Sequence, residues 1–401
     1  MTSSTPTVIA EQALTFDQQV DLNCADIDVP AVLRTLTDRA DTAQQHSVGF
    51  PGATDIDYSP LVPLLRRLWN NVGDPDSEPG GAAHTMALER AVITWCADLL
   101  AMPPADRWGY TTTGGTEGNL AALLTARRRH PGAAVYYSTA AHYSIAKILD
   151  ITAVPDTDRV LVRSDASGEM DYEHLHKLAA ERPAQSAIVV ATAGTTMTEA
   201  CDDTSRILEV LHDAGISRHH LHVDAALAGI PLALDGALRL DDGSGVESIA
   251  ISGHKFFGTP VPCGLVLMRH SIRADGRQIA YTATRDTTIT GSRNGLAAAM
   301  LWYAIAKHHA AGHRHRVHAA RTLADYTTRR LTDIGWSAWR HPQAFTVVIA
   351  TPPTPITDKW LLATDGDLSH LVCMPGITCG QIDALIADLH AHAAADPPTT
   401  H

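Results

Sequence analysis

The sequence predicts an α/β fold: a mostly parallel central sheet with helices on both sides, followed by a smaller C-terminal α+β domain. Three observations predict it. Six short runs between residues 133 and 269 are rich in Val and Ile and apolar almost throughout, as strands covered on both faces must be. Amphipathic helical stretches lie between several of these runs, the pattern of strands joined by crossover helices. After about residue 275 the alternation stops and a long helix and a mixed strand–helix tail take over.

The strand runs are "AAVYYS" (133–138), "RVLVRS" (159–164), "AIVVATAG" (187–194), "LHVDAA" (221–226), "SIAISG" (248–253) and "CGLVLMR" (263–269). "TSRILEVLHDAG" (204–215) is a helix closed by a glycine, the residue that tolerates the left-handed conformation of a C-terminal cap. A polar segment, "YTATRDTTITGSRNG", leads into a long helix starting near Leu296. "AFTVVIA" and "SHLVCM" read as strands of the tail, and "GQIDALIADLHAHAA" as its helix. The expected organisation is an N-terminal arm over 1–45, loose in its first part, a large domain over 46–275 and a small domain over 276–401.

Composition excludes several classes. The formal net charge of −13 argues against a nucleic-acid or anionic-membrane partner. The basic run "ARRRH" (126–130) ends a predicted helix, where cations complement the dipole. The six cysteines (24, 96, 201, 263, 373 and 379) are scattered without a CxxC, so neither a zinc site nor a disulfide framework is read. The histidine-rich "HHAAGHRHRVH" (308–318) lacks accompanying Cys or acidic ligands and reads as a solvated helix rather than a metal site. The N-terminus has no basic start followed by an apolar core, and no stretch of eighteen apolar residues occurs. A cytoplasmic protein is expected.

Lysine usage singles out one residue. The chain has 31 basic residues but only five lysines: Lys147, Lys177, Lys255, Lys307 and Lys359. Four sit in stretches that read as solvated helix faces or linkers. Lys255 follows the apolar run "SIAISGH" and precedes two phenylalanines, so it should have a partner or a chemical task.

In open parallel sheets, ligands gather beyond the carboxyl ends of the strands. Those ends yield a short set of groups. "TTTGGTEGN" (111–119) is a glycine-rich turn entering a helix, a source of free backbone N–H groups for an anion. His142 and Tyr143 follow "AAVYYS", and "GTTMTEACDD" follows "AIVVATAG". Asp224 lies inside an apolar stretch, where a carboxylate is costly unless it meets a cation or several donors. "SIAISGHK" ends on Lys255. Each has an ordinary structural explanation. Together they describe the complement of pyridoxal 5′-phosphate: a lysine for its aldehyde, a carboxylate for its ring nitrogen, an aromatic plate and an anion cradle.

These stretches resemble the group II pyridoxal-phosphate amino-acid decarboxylases of the aspartate-aminotransferase fold (fold type I). The similarity is greatest to bacterial histidine decarboxylases and plant serine decarboxylases. "WGYTTTGGTEGNL", "HYSIAKI", "GTTMTEACDD", "LHVDAALAG", "SGHKFFGTPVPCG" and "TTITGSRNG" carry it, within a span of about residues 48 to 390. The resemblance implies that Lys255 is the Schiff-base lysine, that Asp224 pairs with the pyridine nitrogen and that His142 stacks on the ring. It places Gly115, Thr116, Ser252 and His254 around the phosphate, Thr196 near the ring's phenolic oxygen, and Asp202 behind that loop. It implies a homodimer or dimer of dimers with active sites at the interface, the loop "DTTITGSRNG" reaching the neighbouring site. Tyr281 is a candidate for the tyrosine that protonates the carbanion in related enzymes.

The implied reaction is loss of CO2 from an L-amino acid, histidine or serine first. The rivals are a pyridoxal-phosphate aminotransferase or oxidative deaminase on the same scaffold, and a catalytically silent regulator. Three positions depart from the family pattern: Leu296 stands where His follows "GSRNG", and Thr113 and Thr192 stand where Asn is frequent. None of the three is expected in the cofactor core. They leave the substrate open, an aliphatic amino acid included.

Overall fold

All six apolar runs are strands of one seven-stranded sheet in a computed structural model that describes residues 27–77 and 83–395. Most of the expected N-terminal arm lies outside the described residues. The chain begins with α1 (Val29–His46), capped by the Asp28 side chain, which accepts from the Ala31 amide, and continues through β1 (Asn70–Val72) and α2 (Met86–Leu99). The core unit then runs β2 (Arg107–Thr112), α3 (Gly115–Arg129), β3 (Ala134–Ser138), α4 (Ser144–Ile151), β4 (Arg159–Val162), α5 (Tyr172–Ala180), β5 (Ala187–Thr192) and α6 (Thr204–Asp213). It closes with β6 (His219–Asp224), α7 (Gly229–Leu234), β7 (Ser248–Ser252), the single turn α8 (Gly253–Phe256) and β8 (Gly264–Arg269).

The strand order is β2-β8-β7-β6-β5-β3-β4. β8 pairs antiparallel with both β2 and β7, and the remaining pairs are parallel. Every residue of β5 and β7 is buried, which is why these strands carry Val, Ile and Ala without alternation. Helix α3 lies on the sheet at close range. A Cβ on Gly118 would sit 2.9 Å from the Ala250 Cβ on β7, so this approach requires glycine.

Beyond the sheet come three short strands, β9 (Arg277–Ile279), β10 (Thr284–Asp286) and β11 (Ser292–Asn294), and then the long α9 (Gly295–Asp333), capped by Asn294. The tail holds β12 (Ala338–Trp339), β13 (Thr346–Ala350), α10 (Thr354–Trp360), β14 (Ala363–Asp365), β15 (Leu368–Val372) and α11 (Cys379–Ala395). Its strands form an antiparallel sheet in the order β12-β13-β15-β14. Helix α9 serves two hydrophobic cores. Ala297, Leu301, Ala304, Val317 and Ala320 join the main core, whereas Leu323, Ala324 and Leu331 join the core of the tail.

The histidine-rich stretch corrects the expectation of a solvated helix. It belongs to α9, which is interrupted at His309 (φ 50°, ψ −178°). His313 is fully buried against Phe256, Phe257 and Trp95. Burial pushes its imidazole pKa down to about 3. Arg316 is also buried, donating to Asp55 at 2.6 and 2.7 Å and to the Phe256 carbonyl at 3.0 Å. These polar residues brace the turn that carries Lys255 from behind, a role that composition does not reveal.

β1 pairs with β11, and beneath this pair lies a buried ion pair. Arg293 donates to Glu89 at 2.9 and 3.2 Å, and Glu89 also accepts from Asn71 and from the Thr111 amide and hydroxyl. Both side chains are almost completely buried. Removing one member of such a pair strands the other's charge, at a cost of about 3–5 kcal/mol. Arg293→Met is therefore expected to lower the unfolding free energy by about that amount, measured by denaturant titration.

Candidate active site

β2, β3, β5, β6 and β7 point the same way, so the turns that follow them meet along one rim of the sheet. That rim borders a cavity of about 410 Å3. Gly115 and Thr116 reach it from the turn after β2, His142 from the turn after β3 and Thr196 from the loop after β5. Asp224 ends β6, and Ser252, His254 and Lys255 come from the end of β7 and from α8. The eight residues expected around the cofactor thus line a single cavity.

The glycine-rich turn is shaped for an anion. Gly114 has φ 155° and ψ 178°, a backbone conformation that only glycine adopts easily. A Cβ on Gly115 would lie 2.9 Å from the Ser252 hydroxyl oxygen, so glycine keeps the start of α3 open toward β7. Glu117 holds the turn by accepting from the Thr113 amide and hydroxyl, each at 2.8 Å. Thr290 donates to the other Glu117 oxygen at 3.1 Å and ties the "DTTITGSRNG" loop to the cradle of its own chain.

Lys255 is partly buried, and among the described residues its Nζ has no hydrogen bond and no ion pair within 4 Å. Burial pulls its pKa below the ordinary lysine value, against the pull of the Asp224 and Glu199 carboxylates. Asp224 is 3% exposed. It accepts from the Asn119 side-chain amide at 2.8 Å and from the Ala226 amide at 3.2 Å, and no cation within 4 Å pairs with it among the described residues. The Nδ1 of His142 accepts from the Ser144 amide at 3.3 Å and lies 2.8 Å from the Ser144 hydroxyl, which leaves the proton of the neutral ring on Nε2. Burial lowers its pKa and favours that neutral form. His254 donates from Nδ1 to the Cys263 carbonyl at 2.9 Å, and Nε2 remains available to the cavity.

Asp202 stands behind the cavity rather than in it. It accepts from the Thr192 amide at 2.7 Å, closing the loop that carries Thr196, and from the Met170 amide at 2.8 Å, tying that loop to the segment before α5. Burial pushes its pKa up to about 7 despite these bonds. Glu199, at φ 56°, accepts from the Phe345 and Thr346 amides and so docks β13 onto the same loop.

Two expectations need correction. Thr113 and Thr192 both line the cavity, although neither was expected in the cofactor core. The Thr192 hydroxyl is buried and finds no partner in the described chain. The other departure, Leu296, is half-buried in the first turn of α9 and does not line the cavity. Tyr281 is 93% exposed and does not line it either.

The sequence reading also missed contributors. Asn119 lines the cavity from the second turn of α3, and Phe50 and Pro51 close it from the segment after α1. A second cavity, about 630 Å3, opens on the other side of Lys255. Phe50, Leu227, Leu361 and Val372 make it largely apolar, and Asp358 and His370 are its ionisable groups besides Lys255. Only the tertiary arrangement of the tail brings them there.

The site fits pyridoxal phosphate. An open anion cradle, an unpaired buried carboxylate, an unpaired lysine with a depressed pKa and an orphaned threonine hydroxyl lie around one cavity, and each matches a distinct part of that cofactor. Residues 81–333 match the family model described as the pyridoxal-dependent decarboxylase conserved domain. The chain is 42% identical over 344 residues to a histidine decarboxylase of Mesorhizobium japonicum, covering 84% of this chain and 91% of that one. It is 37% identical over 351 residues to a histidine decarboxylase of Vibrio campbellii, covering 86% and 90%. Among solved structures, L-methionine decarboxylase from Streptomyces sp. 590 superposes with TM-score 0.79 at 27% identity, over 91% of this chain and 96% of that one. Glutamate decarboxylase of Lactobacillus brevis shares the fold, with TM-score 0.77 at 17% identity over 96% of both chains.

Proposed function

The chain belongs to the pyridoxal-dependent decarboxylase family and is a pyridoxal-phosphate-dependent amino-acid decarboxylase, and on that premise we propose that its substrate is L-histidine and that the eight cavity residues hold the cofactor. The observation that carries the residue assignment is that Lys255 and Asp224 line one cavity and neither has an oppositely charged partner within 4 Å among the described residues.

When bound, pyridoxal phosphate supplies an aldehyde and a protonated ring that withdraws electrons as CO2 leaves. Lys255 would hold the cofactor at its aldehyde, a task its depressed pKa suits because more of it is the free amine. Asp224 holds a proton at the ring nitrogen. His142, neutral and anchored to Ser144, packs on the ring face. Gly115, Thr116, Ser252 and His254 receive the phosphate, and a bound dianion favours the doubly protonated His254 ring. Thr196 lies toward the phenolic oxygen.

The second cavity is read as the seat of the substrate side chain. Its volume far exceeds what a serine hydroxymethyl group fills. Its apolar walls suit the faces of an imidazole, and Asp358 offers a carboxylate to the ring N–H. The same walls favour a second reading, an aliphatic amino acid with Asp358 left to solvent. An amino-acid panel with products identified by mass spectrometry decides between them. Histamine with CO2 is the expected product. Asp358→Asn is expected to lower kcat/KM for histidine about tenfold or more, the range of one pocket contact, and to leave any aliphatic turnover unchanged. Turnover of an aliphatic substrate alone overturns the histidine assignment. A keto acid with no CO2 overturns the decarboxylation itself, and an aldehyde with CO2 and ammonia overturns release of the amine.

The proposed assembly is a homodimer with active sites at the interface. Val62, Leu65 and Leu68 are more than half exposed on one short segment, an apolar face that a second copy would cover. Among the described residues no helix is long and apolar enough to cross a membrane. The proposed location is the cytoplasm.

A further inference from the structure

Behind Asp224 a file of buried polar side chains crosses the sheet. Alternation along β6 puts His220, His222 and Asp224 on one face, the face covered by α3. Asn119 of α3 donates its amide to Asp224 at 2.8 Å and meets His222 Nε2 with its carbonyl at 2.9 Å. The β6–β7 register pairs His222 with Ser248, whose hydroxyl lies 2.9 Å from both His222 Nδ1 and His220 Nε2. His220 Nδ1 then lies 3.1 Å from a Glu247 carboxylate oxygen, a charge contact without in-line hydrogen-bond geometry. Asn119, His222, Ser248 and His220 are all buried, and Glu247 is 19% exposed.

The direction of every bond follows from its first member. A carboxylate only accepts, so Asn119 presents its NH2 to Asp224 and its carbonyl to His222. His222 therefore carries its proton on Nε2 and accepts at Nδ1 from Ser248. The Ser248 oxygen in turn accepts from His220 Nε2. His220 Nδ1 and Glu247 would then be two acceptors face to face unless a proton lies between them. The contacts to His220 and Arg129 outweigh burial and hold the Glu247 carboxyl below its ordinary range, so Glu247 faces the ring as a carboxylate that can only accept. Arg129, His130 and His219 are the other charged or titratable groups near this end.

We propose that Asn119, His222, Ser248, His220 and Glu247 are a positioning relay that polarises the donor on Asp224 and so keeps the shared proton on the cofactor's ring nitrogen. The inference rests on the proposed pairing of Asp224 with that nitrogen. Cooperative hydrogen bonds strengthen one another in a low dielectric, by about 10–30% per bond. A proton held at the contact between His220 and Glu247 makes each donor along the file stronger and Asp224 a weaker acceptor of the ring's proton. The proton then stays on the ring, where it is needed to draw electrons. Packing alone does not call for five polar residues in a row between α3 and the sheet, since apolar residues of similar volume serve at least as well.

The test uses holoenzyme reconstituted with pyridoxal phosphate labelled with 15N in the ring. The readouts are the 15N chemical shift, which separates protonated from neutral pyridine, and the cofactor Kd. Asn119→Leu is expected to move the signal toward neutral pyridine and to weaken cofactor binding about tenfold, the range of one bond to a charged group. Ser248→Ala is expected to move it less, and Glu247→Gln, remote from the cavity, least but in the same direction at unchanged melting temperature. Asp224→Asn is the reference. If it leaves the signal in place, the pairing of Asp224 with the ring fails and the relay falls with it. If it moves the signal while Ser248→Ala and Glu247→Gln do not, the pairing stands and the relay is overturned. Should the two buried variants not fold, Glu247→Gln alone decides.

Discussion

Lys255→Ala is expected to abolish decarboxylation and leave the fold intact. The lysine stands on the single turn α8, whose backbone is held from behind by Arg316 and whose phenylalanines fill the core. Its own Nζ holds nothing in place among the described residues, so truncation removes a chemical group and no structural bond. Without that amine, the chain has no covalent tether for the cofactor aldehyde. Borohydride reduction of the wild type followed by peptide mapping should find the pyridoxyl group on Lys255, and a label on another lysine contradicts the assignment. A stability signature accompanies this. The folded-state pKa lies below the ordinary lysine value, so the folded chain binds fewer protons than the unfolded one between the two pKa values. Lys255 thus destabilises the cofactor-free fold fully below its folded pKa, and the penalty fades as pH rises through that window toward about 10.5. Cofactor-free Lys255→Ala should lack this rise and melt no lower than wild type at neutral pH. Melting curves across pH test both statements.

Asp224→Asn is expected to cost turnover on the order of 10²-fold or more, in the range of a lost acid–base function, while cofactor affinity changes far less. The amide fills the same space at the end of β6, and the phosphate cradle, His142 and Lys255 are untouched. An amide cannot balance a positive ring nitrogen, so the proton on the ring loses its counter-charge. Turnover near that of wild type counts decisively against the pairing.

Much of this site was legible because the chemistry sits at strand ends and the strands are unmistakable. The six apolar runs are all strands, although the edge strand β4 leaves Leu161 50% exposed, and once they were placed, Asp224 and Lys255 stood out as charges that apolar surroundings do not tolerate. The relay was not legible, although its trace is in "HHLHVD". Polar residues at alternate positions of a buried strand, 220, 222 and 224, mark a face that must find polar company. Asn119 lies 105 residues from Asp224, and no local pattern joins them. The histidine-rich segment of α9 misled for a related reason. His313 and Arg316 look like residues of a wet surface, and only the aromatic wall of Phe256 and Phe257 with the Asp55 carboxylate explains their burial.

By itself, the sequence determined the identity of the strands and the turn glycines and singled out Lys255, because these depend on side-chain volume, backbone freedom and hydrophobic period, which are local properties. The tertiary structure alone decided that β8 runs against its neighbours, that α9 serves two cores, and that Thr113 and Thr192 enter the cavity. It also decided that the tail brings Asp358 and His370 beside Lys255. Those features depend on which distant surfaces bury one another. That outcome is set by the summed fit of many side chains, and no single stretch of sequence contains it.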